Sequence, residues 1–350
     1  MSSNCGRACW ASSVNACFER STTRRHTMKS IVASLFVLLS LAAGPALAQA
    51  DTYPSRTVKI VVPFTPGGSP DAVARAVSPG LGQAWKQPVV VENKAGAGGN
   101  IGGETVARAP SDGYTLLLSG SGLACINPKL YTKTSFDLVN DLKLVTPLGF
   151  VPIVLVVHPA IPARTLSELV AHARSLPGGL TYGSGGVGTP QHLSGEMFTL
   201  YTGLKMTHVP YKGNGPALAD LMAGQTDIMF SPINSVAPLI KAGKVRAIAA
   251  AGSQRMPAMP DLPTIAEAGV AGYDSSLWLA MAVPSATPKD VVDKLDRDVR
   301  SVLGRGDVKA SLAQQGIEQL AGSPVDFQDM VRKDCARWAK VIADARISAD

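Results

Sequence analysis

The chain has 350 residues, 46% apolar and 17% charged, a balance that excludes intrinsic disorder and allows two ordinary domains. Its formal net charge of +7 is inflated by residues 1–48, which hold five basic residues and one acidic residue; the remainder carries 28 basic and 25 acidic residues, a net of +3. So mild and dispersed a surplus excludes nucleic acid as the expected partner.

The first recognisable element is a leader. Met28-Lys29 precedes the apolar run Ile31–Ala43, then Gly44-Pro45 and Ala46-Leu47-Ala48. A basic start, a short apolar core and a small-x-small end form the pattern of a cleavable signal peptide over 28–48, cut near Ala48. The run falls short of the roughly 20 residues a membrane span needs. A periplasmic protein is therefore expected. Residues 1–27 are polar, carry Cys5, Cys9 and Cys17, and show no period. They read as a non-native upstream extension with translation starting at Met28, which N-terminal sequencing decides. Beyond the leader only Cys125 and Cys335 remain. An oxidising compartment permits them to pair, and their spacing leaves open whether they do. His158, His172, His192 and His208 show no HxxxH or HExxH spacing and no CxxC nearby, so no metal or other cofactor is expected.

Val58–Val62 is a strand, entering Pro63-Phe64-Thr65-Pro66-Gly67-Gly68. Ser69 then reads as an N-cap and Pro70 as the first residue of a helix reaching Trp85. Free N–H groups and the positive end of the helix dipole face that glycine turn, which suits an anion. Pro88–Val91 is a second strand, the 96–103 glycine turn leads to a helical segment at 104–108, and Tyr114–Leu118 is a third strand ending in Ser119-Gly120-Ser121-Gly122. Ile153–Val157 is a strand and Leu166–Arg174 a helix. The opening device then recurs. Leu180-Thr181-Tyr182 enters Gly183-Ser184-Gly185-Gly186-Val187-Gly188, with Thr189 as N-cap and Pro190 as the first residue of a helix to Leu200. A third variant, Lys212-Gly213-Asn214-Gly215-Pro216, precedes a helix at 217–222. Near the end, Leu277–Val283 is a strand, and helices cover 291–303, 308–315 and 327–342. The βα alternation predicts an α/β fold with mainly parallel sheets and ligands at the carboxyl ends of strands.

Enzyme signatures fail on inspection. The 96–102 glycines place Ile101 where a dinucleotide fingerprint needs its third Gly. Tyr182 stands where a nucleophile elbow at Ser184 needs a Gly. A secreted serine hydrolase using Ser184 with His192 is a minor alternative. Asp71, second in its helix, complements the dipole rather than supplying an acid. Lys212 reads as solvated, and Trp278 as either core or pocket wall.

Together the segments resemble the Bug-type receptors, the substrate-binding proteins of tripartite tricarboxylate transporters. The resemblance rests on Tyr53-Pro54-Ser55-Arg56, on Pro63-Phe64-x-x-Gly67-Gly68-x-x-Asp71, and on Val89-Val90-Val91-Glu92-Asn93-Lys94-x-Gly96. It continues through Asp112-Gly113-Tyr114-Thr115, Ile126-Asn127-Pro128-x-Leu130-Tyr131, Tyr182-Gly183-Ser184-Gly185-Gly186-x-Gly188, and His208-Val209-Pro210-Tyr211-Lys212-Gly213. It ends with Leu262-Pro263-Thr264-Ile265. The resemblance implies a non-catalytic, monomeric periplasmic receptor of the type II-like clamshell class. One domain would span 51–150 plus 275–350 and the other 151–274. It would capture a small carboxylated solute, such as a di- or tricarboxylate, amino acid or aromatic acid, and pass it to a membrane permease. A sensor subunit binding the same ligand is the alternative. The resemblance implies that N–H groups of two loops hold the carboxylate, with ligand-binding residues here at Phe64, Thr65, Pro66 (which has no N–H of its own), Gly67, Gly68 and Ser69 and at Ser184, Gly185, Gly188 and Thr189. Ser121 and Ser231 would line the pocket. Pro70 departs from the small hydroxyl residue usual before Asp71, and Cys125 from a small apolar one, so the particular ligand is not inherited.

Overall fold

The computed structural model describes residues 53–131, 137, 140–275, 277–320 and 324–348. The leader, the upstream segment and the cleavage point near Ala48 lie outside them.

Strand β1 (Val58–Val62) is followed by α1 (Ser69–Trp85), β2 (Val89–Asn93), a 3-10 turn at Ala97–Gly99, α2 (Asn100–Ala107) and β3 (Thr115–Gly120). A π-helical turn at Gly122–Ile126 and α3 (Asn127–Leu130) precede β4 (Leu142–Val151). Across Pro152 the chain enters a second sheet with β5 (Ile153–Val157), α4 (Leu166–Ser175), β6 (Leu180–Ser184), α5 (Pro190–Thr202) and β7 (Met206–Pro210). It continues through α6 (Asn214–Met222), β8 (Ile228–Pro232), α7 (Ile233–Lys241) and β9 (Arg246–Ala250). Strand β10 (Leu277–Pro284) then returns to the first sheet, and α8 (Lys289–Leu303), α9 (Gly306–Gln314) and α10 (Pro324–Ala345) complete the chain.

The sheet orders are β2-β1-β3-β10-β4 and β7-β6-β8-β5-β9. Both are mixed rather than mainly parallel, and by one rule. Three parallel strands (β2, β1, β3 and β7, β6, β8) are joined by helical crossovers. The strand by which the chain passes between sheets is antiparallel to both neighbours: β10 between β3 and β4, and β5 between β8 and β9. Both β5 and β10 are buried along their whole length, which explains their unbroken apolar sequences.

Alternation in β1 sends Val58, Ile60 and Val62 into the core, where Val73, Val77 and Leu81 of α1 and Val299 and Val302 of α8 join the same cluster. The C-terminal helix α10 contacts the π-helical turn. Trp278 Nε1 donates to Asp334 Oδ2 at 2.8 Å, and its ring meets Phe327 edge-on at 5.6 Å. Trp278 is therefore core. Cys125 and Cys335 form a disulfide that ties α10 to the turn and closes a loop with a sequence separation of 210. Reduction is expected to lower unfolding free energy by about 2–5 kcal/mol. An unchanged urea midpoint after complete reduction would show that the bond contributes nothing.

Candidate functional site

The loop from β1 to α1 is braced from behind. Asp71 Oδ2 accepts from Gly67 N–H at 3.0 Å and Arg75 Nε at 3.0 Å, while Oδ1 accepts from Asn93 Nδ2 at 3.0 Å. Asn93 also donates to the Phe64 carbonyl at 3.1 Å. Burial alone would raise the Asp71 carboxyl, but the Arg75, Gly67 and Asn93 hydrogen bonds outweigh it and hold the group below the usual carboxylate range. Asp71 thus fixes the loop as an anion rather than acting as an acid. The N-cap of α1 is Gly68, not Ser69, and no side chain caps it. Ser69 is already helical, and its hydroxyl donates to Asn234 Oδ1 at 2.6 Å, joining α1 to α7 of the other sheet. The backbone N–H groups of Gly68 and Ser69 have no partner among the described residues and are available to a ligand.

The loop from β6 to α5 is braced by histidines. Thr189 is the N-cap, accepting from His192 N–H at 3.4 Å and donating to the Gly186 carbonyl at 2.7 Å. Ser184 Oγ lies 2.7 Å from His208 Nε2 and accepts from Gly186 N–H at 3.1 Å. Gly188 N–H donates to His192 Nδ1 at 3.4 Å. The two imidazoles stack at 4.0 Å, with Tyr182 against His208 at 4.8 Å. The Tyr182 hydroxyl donates to Glu196 Oε1 at 2.5 Å, and His192 Nε2 lies 3.7 Å from the same oxygen. Burial lowers His192 to about 3, assisted by His208, and burial lowers His208 to about 4; both are neutral. Ser184 is paired with His208 rather than His192 and is fully buried, so it serves as a strut of the loop. Gly186 and Gly188 already donate to side chains, whereas the N–H groups of Gly185 and Val187, and of Gln191 in the first turn of α5, have no partner among the described residues.

The two loops enclose a cavity of about 50 Å³ between the sheets. Phe64, Thr65, Gly68, Ser69 and Pro70 line it from one side; Gly185, Thr189, Pro190, Gln191, Gly213, Asn214 and Pro232 line it from the other. Gly120, Gly122, Leu123, Leu277 and Leu279 complete the wall, so no charged side chain of the described residues lines it. The sides touch. A Cβ on Gly213 (φ +127°) would lie 2.3 Å from Thr65 Oγ1, and one on Gly188 (φ +82°) 2.6 Å from Asn127 Oδ1. The Tyr131 hydroxyl donates to the Val187 carbonyl at 2.9 Å.

Of the residues singled out from sequence, Phe64, Thr65, Gly68, Ser69, Gly185 and Thr189 line this cavity, whereas Pro66, Gly67, Ser121, Ser184, Gly188 and Ser231 do not. Ser231 exchanges hydrogen bonds with the Asn214 amide, at 3.3 and 3.5 Å. Ser121 is enclosed between two lining glycines, its hydroxyl without a partner among the described residues. Lys212 is exposed and outside the cavity. Sequence reasoning passed over Gln191, Asn214, Pro232 and the leucines. Asn214 sits in the third glycine turn, a signal available but unused; Leu277 and Leu279 look like any buried strand residue.

Two mixed α/β sheets flanked by helices, with a cavity between them ringed by strand-to-helix loops, define a periplasmic binding-protein fold. The family described as tripartite tricarboxylate transporter family receptor (TctC) matches residues 73–347, and the chain belongs to it. It is 37% identical over 301 residues to the UPF0065 protein in the tcbD-tcbE intergenic region of Pseudomonas sp. (strain P51), covering 86% of this chain and 89% of the relative. It is 34% identical over 318 residues to protein BugT of Bordetella pertussis, covering 91% and 98%. Among solved structures, R. palustris Rpa4515 with adipate superimposes with a TM-score of 0.81 at 37% identity, covering 85% of this chain and 99% of that one. MatC (Rpa3494) from Rhodopseudomonas palustris with bound malate gives 0.78 at 33%, covering 83% and 100%. The chain is thus a solute-binding receptor of a non-enzymatic transport family. Among the described residues no helix is long and apolar enough to cross a membrane.

Proposed function

We propose that this receptor works in the periplasm, captures a small carboxylate between two lobes, and delivers it to the membrane permease of a tripartite tricarboxylate transporter. The lobes are residues 51–150 with 275–350, and 151–274. One observation carries the reading: residues at four helix starts, those of α1, α5, α6 and α7, line a cavity to which the described residues contribute no cationic side chain. Each contributes roughly half a positive charge at its start, with the Ile233 N–H of α7 already donated to the Pro152 carbonyl. Such a field fits a carboxylate, and Gly68, Ser69, Gly185 and Gln191 supply the open donors. Phe64, Leu123, Leu277 and Leu279 offer an apolar surface to the hydrocarbon part of the acid. The adipate and malate held by two relatives support the same chemistry.

A thermal-shift screen over mono-, di- and tricarboxylates, amino acids and aromatic acids tests the reading. An acid at about 100 times its Kd should add about 2.7 kcal/mol of stability. If no acid shifts the transition, the reading is wrong.

A further inference from the structure

One wall of the cavity is cross-linked to the far end of the chain. Gly122 and Leu123 line the cavity and open the π-helical turn Gly122–Ile126, which runs straight into α3. Single π-helical turns are rare and concentrate at functional sites. The same stretch is the surface that the β6–α5 loop meets from the other sheet. A Cβ on Gly122 would lie 3.2 Å from Pro190 Cδ, and one on Gly188 would lie 3.0 Å from Tyr131 Cε2 and 3.4 Å from Leu130 Cδ2. The Tyr131 hydroxyl completes the contact by donating to the Val187 carbonyl. Residues 122–131 therefore serve twice, as cavity wall and as closing surface.

The cross-link comes from α10. Cys125, buried within the turn, is bonded to the half-buried Cys335. Helix α10 is in turn fixed at the crossover between the sheets. Trp278 Nε1 and Arg337 both donate to Asp334, and Arg337 also donates to Asp274. Beside Asp274, the Ser275 hydroxyl lies 2.6 Å from Ser194 Oγ of α5. The disulfide thus fastens the cavity wall to a helix that is anchored where the two sheets join. We propose that the Cys125–Cys335 bond is an affinity switch set by redox state: oxidation holds residues 122–131 in the ligand-competent arrangement, and the reduced chain binds carboxylates weakly. The bond forms by thiol–disulfide exchange with an oxidising dithiol–disulfide partner. The Cys335 thiolate attacks the partner's disulfide, and the Cys125 thiolate then displaces the partner from the mixed disulfide. The two thiol hydrogens, with their electrons, end on the partner, which departs as a dithiol. In a reducing compartment the pair stays as thiols, so the receptor gains affinity only after export. This inference rests on the carboxylate reading of the cavity and on the periplasmic location.

The experiment compares the oxidised mature chain, the same chain held as thiols by a phosphine, and a Cys125→Ala/Cys335→Ala protein. Each is titrated calorimetrically with adipate, malate, glutamate and benzoate, and its amide hydrogen exchange is followed without added acid. Apparent affinity scales with the competent fraction, so a wall ordered in about a tenth of the molecules weakens binding about tenfold. An acid that binds the oxidised chain should accordingly bind the thiol form and the double variant about tenfold or more weakly. Reoxidation should restore the thiol form and leave the double variant unchanged. Exchange should rise over residues 122–131 while β1 and β8 stay protected. Equal affinity of the oxidised and thiol forms would overturn the proposal, as would unchanged exchange over 122–131. Loss of protection throughout both the thiol form and the double variant would also overturn it, since the bond would then staple the whole fold rather than the wall. An acid bound equally with and without the bond defeats the switch alone. No acid of the wider screen binding the oxidised chain defeats the carboxylate reading, and exchange over 122–131 still decides whether the bond orders the wall.

Discussion

Replacing Gly213 with Val is expected to weaken ligand binding by about 100-fold or more while leaving the separate sheets folded. Gly213 caps α6 at φ +127°, a region that side-chain-bearing residues rarely occupy, and strain of that kind is on the order of 1–3 kcal/mol. The larger effect is steric. A Cβ there would stand 2.3 Å from Thr65 Oγ1, which belongs to the loop on the opposite side of the cavity. The clash exists only when the sides meet, so it disfavours the closed arrangement and any ligand that depends on it. Gly68 offers an informative contrast. Its φ is −80° and the nearest atom to an added Cβ is Pro70 Cδ at 3.7 Å. A side chain at Gly68 meets no protein obstacle and instead occupies space meant for the ligand. Calorimetry combined with small-angle scattering separates the causes: Gly213→Val should remain open with ligand present, whereas Gly68→Val should lose binding without new backbone strain. Full affinity in Gly213→Val would show that closure at this contact is dispensable.

Acid is expected to destabilise the protein well above the pH at which carboxylates protonate. His192 is held neutral by burial, down to about 3, while an unfolded histidine titrates near 6.5. Between those values the unfolded chain binds a proton that the native chain does not, so stability falls as pH falls from about 6.5 toward 3. The slope approaches about 1.4 kcal/mol per pH unit, giving about 2 kcal/mol lost at pH 5 from His192. His208, lowered to about 4 and less enclosed, adds a smaller loss of the same sign. Protonating both rings would set two cations 4.0 Å apart, with Glu196 beside His192 the one carboxylate that the described residues place against them. Urea midpoints at pH 7.5 and pH 5 check this, with a His192→Gln protein expected to show a shallower dependence. Equal midpoints for the parent chain at both pH values would contradict it. Because these rings hold Ser184, Gly186 and Gly188, ligand affinity should decline over the same range.

The strand-to-helix devices were readable from Gly, Ser/Thr and Pro placed after a β-rich run, and three of the helix starts around the cavity follow that pattern. Thr189-Pro190 behaves as its residue types suggest. Ser69-Pro70 does not, because Asn234, 165 residues away, claims the Ser69 hydroxyl and leaves Gly68 to cap. Local chemistry cannot anticipate such a distant partner. The mixed character of the sheets was hidden for a similar reason. Strands β5 and β10 are apolar throughout, and an apolar run says that a strand is buried without saying which way it runs. The bracing of Ser184 by His208 arises from the parallel pairing of β6 with β7, which sets Tyr182 beside His208. Neither residue has a local signal for that pairing. Gln191 follows Thr189-Pro190 in the capping pattern, and nothing local in the sequence marks it as part of the cavity wall.

The most direct test of the central claim, that helix N-termini rather than cationic side chains hold a ligand carboxylate, is a calorimetric comparison of the best-binding acid with its neutral primary amide. Both have the same shape, but only the acid carries the negative charge to which the convergent N–H groups respond. The account predicts binding of the acid and at least a 100-fold weaker response to the amide, equivalent to about 2.7 kcal/mol. An amide that binds as tightly as the acid would contradict it.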